Sequence, residues 1–312
     1  MSASFAAATG NLRRRRALGV VLATLCALAG AFSVCVLFVL LGSIAGAAWA
    51  RLDWALLTQK PDYLDPSQGG VRPAFWGTVW LMALTGLVAV PVGVGAAVYL
   101  QEFARRNWFT SIVTLNIANL AGVPSIVYAI LGLAVFIQTL GLGRSLLTGS
   151  LTLALLSMPI IIIATREALL AVPNSLREAA YALGATRWQA VRYHVLPAAL
   201  PGIMTGVILA LSRAIGEAAP LVIIGAFAEI DHVPGEGFTA SLGSPQALMN
   251  WLNATIMGDF TTLPIQIYSW ATKPDEDIRT LASAAIVVLL VLLLMMNALA
   301  VGIRAWHQRG TR

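Results

Sequence analysis

The sequence predicts an all-α membrane protein, a six-transmembrane-helix bundle, and three observations lead there. Only 11% of the 312 residues are charged and 58% are hydrophobic, against roughly 25% charged in a soluble domain. Mean hydropathy is +0.81. Six apolar stretches, 17–48, 74–100, 109–140, 146–165, 198–228 and 280–303, reach the roughly 18 residues that a helix rising about 1.5 Å per residue needs to cross a hydrocarbon core about 30 Å thick. The alternating polarity of a membrane barrel is missing from the pattern, and irregular backbone cannot face lipid, so helices remain.

The first stretch follows Arg13 to Arg16 and a tail at 1–16. Ala48 and Ala50 imitate a signal cleavage site, but a cleaved signal has an apolar region of roughly 7–15 residues and this one is about thirty, so it reads as a retained helix. Cys26 and Cys35 fall on opposite faces of that helix at about 100° per residue and neither bridge nor make a metal site. Segment 49–73, with its Asp, Pro and Gly, is an exposed connection. In the second stretch Pro91 stands beside Gly93 and Gly95 and predicts a bend, because proline removes a helix hydrogen bond. "LAGVPSIVYAILGL" at 120–133 predicts a kink at Pro124, with Gly122 and Gly132 allowing close helix contact. The fourth stretch carries Pro159 in its middle and ends at Arg166 and Glu167.

Between the fourth and fifth stretches lies "VPNSLREAAYALGATRWQAVRYHVLPAALPG", 172–202, within a loop at 171–197. It reads as two short helices broken at Gly184, where glycine accepts a bend other residues resist. Asn174 or Ser175 caps the first, and Glu178 suits its positive end. Ala179, Ala180 and Ala182 offer a small, packable surface. Pro197 and Pro201 close the segment before the fifth helix.

The fifth stretch contains "LSRAIGEAAPL", 211–221, the one place where charge enters a span. Counted from Leu200, Arg213 lies about 20 Å along the axis, near the bilayer midplane, where an ion costs at least roughly 2.5–3.5 kcal/mol and is a functional candidate by default. Glu217, four residues on, shares its face, and Gly216 and Pro220 loosen the helix there, with Pro220 predicting a further kink. Two readings stay open. One is a structural ion pair. In the other Arg213, with Ser212 beside it, lines a path for an oxyanion that forked donors suit, and Glu217 holds the arginine in place. Loop 229–279 is too apolar and aromatic in its middle, "SPQALMNWLNATIMGDFTTLPIQIYSW", to be a disordered linker, and predicts short helices lying on the bundle.

With the N-terminus inside, the cytoplasmic segments hold thirteen basic residues, Arg13 to Arg16, Arg105, Arg106, Arg166, Arg177, Arg187, Arg192, Arg304, Arg309 and Arg312. Six lie outside: Arg51, Lys60, Arg72, Arg144, Lys273 and Arg279. Lys and Arg concentrate on the cytoplasmic side, which places both termini there. The net charge of +6 is then a matter of topology, with no nucleic acid as partner. His194, His232 and His307 have no metal-ligand spacing, so no metal and no catalytic residue is expected. A P-loop needs a lysine after glycine; the only lysines, Lys60 and Lys273, follow Gln59 and Thr272. An ATP-driven role would need a separate motor.

Glu178-Ala179-Ala180, Gly184 and Leu196-Pro197 resemble the EAA loop of bacterial ABC transporter permeases, departing at His194, where that family carries an apolar residue. "SRAIGEAAPL", "AGVPSIVYAILGL", "FTTLPIQIYSWA" and "LPAALPGIMTGVILALSRAIGE" are similar to segments of the phosphate permeases of the Pst system, on the PstA side of that family, with Ala218 at a usual threonine and Ala129 at a usual glycine. The resemblance implies a permease domain over 17–312, its core at about 74–303, in a multi-pass bacterial inner (plasma) membrane protein. It implies phosphate import by alternating access, a PstC-like permease as heterodimer partner, two copies of a PstB-like ATPase on the coupling loops, and a PstS-like phosphate-binding protein. ATP and magnesium would belong to the ATPase, leaving no cofactor in this chain. Glu178, Ala179, Ala180 and Gly184 would couple to the ATPase. A permease for sulfate, molybdate or a phosphonate shares the same arginine chemistry, and a membrane protein without a transport role is the remaining alternative.

Overall fold

The computed structural model describes residues 2–62, 69–105, 107–227, 230 and 232–309, with side chains from 15 to 305 within those ranges. Arg106, Arg312 and the side chains of Arg13, Arg14, His307 and Arg309 lie outside the described residues. In chain order the helices are α1 (Ser2–Ala48), α2 (Trp54–Thr58), α3 (Arg72–Val98), α4 (Trp108–Leu120), α5 (Ser125–Gly132), α6 (Leu146–Leu170) and α7 (Asn174–Ala182). Next come α8 (Arg187–Ala190), α9 (Leu196–Ala214), α10 (Ala219–Ile224), α11 (Phe238–Ser241), α12 (Pro245–Met257), α13 (Leu263–Ala271) and α14 (Glu276–Arg309). Three π-helical segments extend them: Tyr99–Phe103 after α3, Leu133–Thr139 after α5, and Val191–Val195 between α8 and α9. No strand occurs among the described residues.

Among the described residues five helices are long and apolar enough to cross a membrane, and the bent pair of α4 with α5 and its extension brings the number to six if the pair is one span. The first is helical from Ser2, so the expected tail at 1–16 continues the helix. It packs against α14; among its described side chains only Leu41, Ile44 and Ala48 are drawn out of full exposure, and the rest of its apolar length is exposed.

The centre is α6, which packs against both α3 and α9. Apolar attraction is weak between helices in lipid, so close packing and small residues must hold them. Gly202 and Gly206 on α9 lie against Ala168 and Ala164 of α6; a Cβ on Gly202 would stand 2.7 Å from the Ala168 Cβ. Gly132 likewise lies against Thr152, whereas Gly122 meets only the Asn119 carbonyl of its own turn.

The prolines behave differently from one another. Pro91 and Pro159 stay inside α3 and α6, which run on without a break, so neither interrupts its span. At Pro124 the expected kink is a full break of 106° between α4 and α5. The Tyr128 hydroxyl donates to the Leu120 carbonyl at 2.8 Å, which also accepts the Val123 N–H at 3.0 Å, so the carbonyl at the break is doubly bonded. Pro220 falls in the first turn of α10, where a missing N–H costs nothing. The fifth apolar stretch is therefore no single helix: its long helical run is Arg187–Ala214, and beyond Ala214 the chain turns and a new helix starts.

The α11–α13 segment packs over the end of the bundle where α3 and α6 begin. Leu263 N–H donates to the Thr78 hydroxyl at 2.9 Å, Arg72 pairs with Glu236 at 3.2 Å, and Phe260 is fully buried among Leu81, Leu146 and Leu221. The 171–195 loop lies at the opposite end, where α3 and α6 finish.

Candidate functional site: a clasped loop and a broken helix

The 171–195 loop is built from two terminal motifs set back to back. Helix α7 starts after Pro173, which caps it without a side-chain bond; the expected cap, Asn174, is inside the helix and accepts from Arg177 Nη1 at 3.3 Å. At its far end Gly184 takes φ +81°. There the Gly184 N–H donates to Tyr181 at 2.9 Å and the Ala185 N–H to Ala180 at 3.1 Å, the paired bonds of a Schellman close. Two residues later Thr186 and Gln189 exchange a capping box, with Gln189 Oε1 accepting from the Thr186 N–H at 2.8 Å. A left-handed glycine followed at once by a capped start leaves the chain between α7 and α8 little freedom.

Of the four predicted loop residues, Ala180 is buried, at 4% exposure. Glu178, Ala179 and Gly184 are exposed. Leu183, the residue that caps α7 at its C-terminal end, is 89% exposed, so the short helix and its cap leave a carboxylate and an apolar side chain open. Pro197 does not end the loop, because α8, the π segment and α9 form one continuous helical run into the bundle.

Two residues that the sequence pattern did not single out hold this loop. Arg177 Nη2 meets Glu102 Oε1 at 2.7 Å, with both side chains largely buried. The same guanidinium donates to the carbonyls of Leu169 and Val172, each at 2.9 Å. The signal for Glu102 was there: "QEFARR" places one acid against basic residues at the end of an apolar run.

The second candidate region is the gap between α9 and α10. Arg213 is in the last turn of α9, and the chain turns through Ile215 to Ala218 with Gly216 N–H to Arg213 O at 3.3 Å and Glu217 N–H to Ala214 O at 3.2 Å. Arg213 Nε and Glu217 Oε1 are 3.6 Å apart, with the arginine side chain 51% and the glutamate 20% exposed. That distance is beyond a good hydrogen bond, so the pair is electrostatic and the guanidinium fork keeps an open side.

Ser212 is not part of this arrangement. Its hydroxyl meets Asn297 Oδ1 at 2.5 Å and the Ile208 carbonyl at 2.7 Å, in a cavity of about 110 Å³ between α9 and α14 lined mostly by apolar side chains such as Leu211 and Leu293. Asn297 was missed in the sequence although it is a lone amide inside the last span, where polar groups are rare. Among the described residues no three His, Cys, Asp or Glu are grouped to hold a metal ion, and Cys26 and Cys35 are free and exposed.

The profile of a family described as "Binding-protein-dependent transport system inner membrane component" matches residues 89–312. The chain is 35% identical over 229 residues to the "Phosphate transport system permease protein PstA" of Mycobacterium leprae (strain TN), covering 73% of this chain and 68% of that one. It is 33% identical over 220 residues to the "Probable ABC transporter permease protein YqgI" of Bacillus subtilis (strain 168), covering 70% and 68%. Among solved structures, a chain of the inward-facing MetNI methionine ABC transporter superposes with a TM-score of 0.55 at 19% identity, over 76% of this chain and 95% of that one.

Proposed function

We propose, because this chain belongs to the family of binding-protein-dependent transport system inner membrane components, that it is a PstA-type permease subunit that forms half of the pore of an ATP-driven phosphate importer. It is a multi-pass membrane protein with the fold of a type I ABC importer permease, a transporter component rather than an enzyme. The observation that carries the substrate reading is Arg213: a half-open guanidinium at a helix break within the apolar part of the bundle, held at 3.6 Å by Glu217. A planar fork of donors suits a tetrahedral oxyanion, and a discontinuous membrane helix is where transporters place their sites.

Around that reading the rest assembles. Thirteen of the basic residues lie on one side of the spans, which supports cytoplasmic termini in a bacterial inner membrane. The exposed face of Glu178, Ala179 and Leu183, with Gly184 setting its end, is the contact for a PstB-like ATPase, two copies of which bind ATP and magnesium for the complex. A PstC-like permease completes the pore and a PstS-like protein delivers phosphate.

The test is uptake of labelled phosphate by the four-component complex in vesicles, with sulfate, molybdate and a phosphonate as competitors. Phosphate uptake that excess sulfate leaves unchanged is expected. Uptake of sulfate in place of phosphate would move the chain to the other oxyanion reading.

A further inference from the structure

We infer that the Arg177–Glu102 pair is the strut through which movement of the coupling loop enters α3 and α6, a positioning role that rests on the permease reading above. The two arms of the loop are joined to the bundle in different ways. The α8 arm runs without a break into α9, so its displacement reaches that helix through the chain itself. The chain joins the α7 arm to α6 through the short turn at 171–173, and apart from Leu176 packing on the cluster of Leu169, Val172 and Val195 the arm needs a polar contact to reach the helix ends.

Arg177 supplies the missing connection. Its fork grips both oxygens of Glu102, Nη2 to Oε1 at 2.7 Å and Nε to Oε2 at 3.4 Å, and Glu102 belongs to the π-helical end of α3. Its other donor directions close on the Leu169 and Val172 carbonyls. Leu169 is in the last turn of α6 and Val172 in the turn that follows it, where backbone carbonyls have acceptor capacity to spare and the helix dipole favours a cation. One guanidinium thus bolts α7 to the ends of α3 and α6 together, and those two helices pack along each other.

The neighbouring residue reaches the other arm. The Phe103 ring lies 6.1 Å from the Trp188 ring and 5.7 Å from the Arg187 guanidinium carbon. Successive residues of one turn therefore hold both halves of the loop, and π-helical turns recur at functional positions. A buried ion pair is a poor source of stability compared with packed apolar side chains, but it fixes geometry. That favours a part chosen for rigidity over one chosen for stability.

The experiment measures hydrogen–deuterium exchange at 174–183 and at 99–103 in the assembled complex, with and without a non-hydrolysable ATP analogue. In the wild type the nucleotide changes exchange in both segments. In the double variant Glu102→Leu/Arg177→Met, which leaves no unpaired buried charge, the loop still responds. The response at 99–103 is lost, and uptake falls by about tenfold or more while the ATPase subunits stay bound. A double variant whose 99–103 segment responds as in wild type overturns the strut. If that variant does not assemble, Glu102→Gln, which keeps the shape without the charge, is read by the same criterion. A wild-type complex that responds in both segments yet imports no phosphate would sink the phosphate reading and leave the strut intact.

Discussion

The chain contains the triplet Glu-Ala-Ala twice, and the two copies have opposite surroundings. Glu178-Ala179-Ala180 sits in a helix with a Schellman close, a capped successor and a buried arginine bolt. Glu217-Ala218-Ala219 spans a gap between helices, with its carboxylate 3.6 Å from a half-exposed arginine. Backbone bonds at the ends of the first are satisfied locally, which ties α7 to α8. The second trades the α-helical ladder after Ile215 for shorter turns at Gly216 and Glu217 and keeps a cation open to one side. Three identical residues are closed into a helix in one place and bridge a break between helices in the other, and the difference comes from the residues around them.

The sharpest way to break this contrast is Arg213→Gln. Removing the cation from the open region should lower phosphate uptake by about 100-fold, the scale of losing a charge-stabilising donor at an oxyanion, while the ATPase subunits still co-purify. Uptake near wild type would reduce Arg213 and Glu217 to a structural pair. Next comes Gly184→Asp in the clasped region. A side chain at φ +81° costs about 1–2 kcal/mol, so uptake should fall roughly tenfold and ATP hydrolysis should respond less to the loaded binding protein. Gly184→Asn, more tolerant of that backbone, should lose less; equal losses would argue against backbone geometry as the cause. The smallest effect is expected for Ser212→Ala. Losing its bond to Asn297 costs about 1 kcal/mol of stability, seen in thermal unfolding, with uptake inside about threefold of wild type. A loss as large as that of Arg213→Gln would return Ser212 to the anion path.

Several parts of this architecture were legible from residues alone. Length and hydropathy located the apolar runs, the polar-poor outer segment announced the helices at Phe238–Ala271, and Gly184 marked the break in the loop. The prolines show where such reading stops. Pro91, Pro124, Pro159 and Pro220 carry the same local signal, yet two remain within helices, one marks a 106° turn and one starts a new helix. Proline removes a donor everywhere, yet of these four only Pro124 marks a sharp turn, with the Leu120 carbonyl taken by the Val123 N–H and the Tyr128 hydroxyl. Ser212 and Arg213 make the same point: adjacency in sequence suggested a shared role, but neighbours on a helix face about 100° apart.

What the sequence by itself determined is the class of the protein, because the cost of burying polar groups in lipid acts on composition and run length, which need no partner to be read. It also determined the loop's breakpoint, since a left-handed turn selects glycine locally. Only the tertiary structure decided that Glu102 and Arg177, 75 residues apart, meet in one buried pair, that the fifth apolar run is divided after Ala214, and that Ser212 turns to Asn297. Each of these depends on which side chain arrives from a distant helix, and pairing across that separation leaves no periodic trace in a single chain.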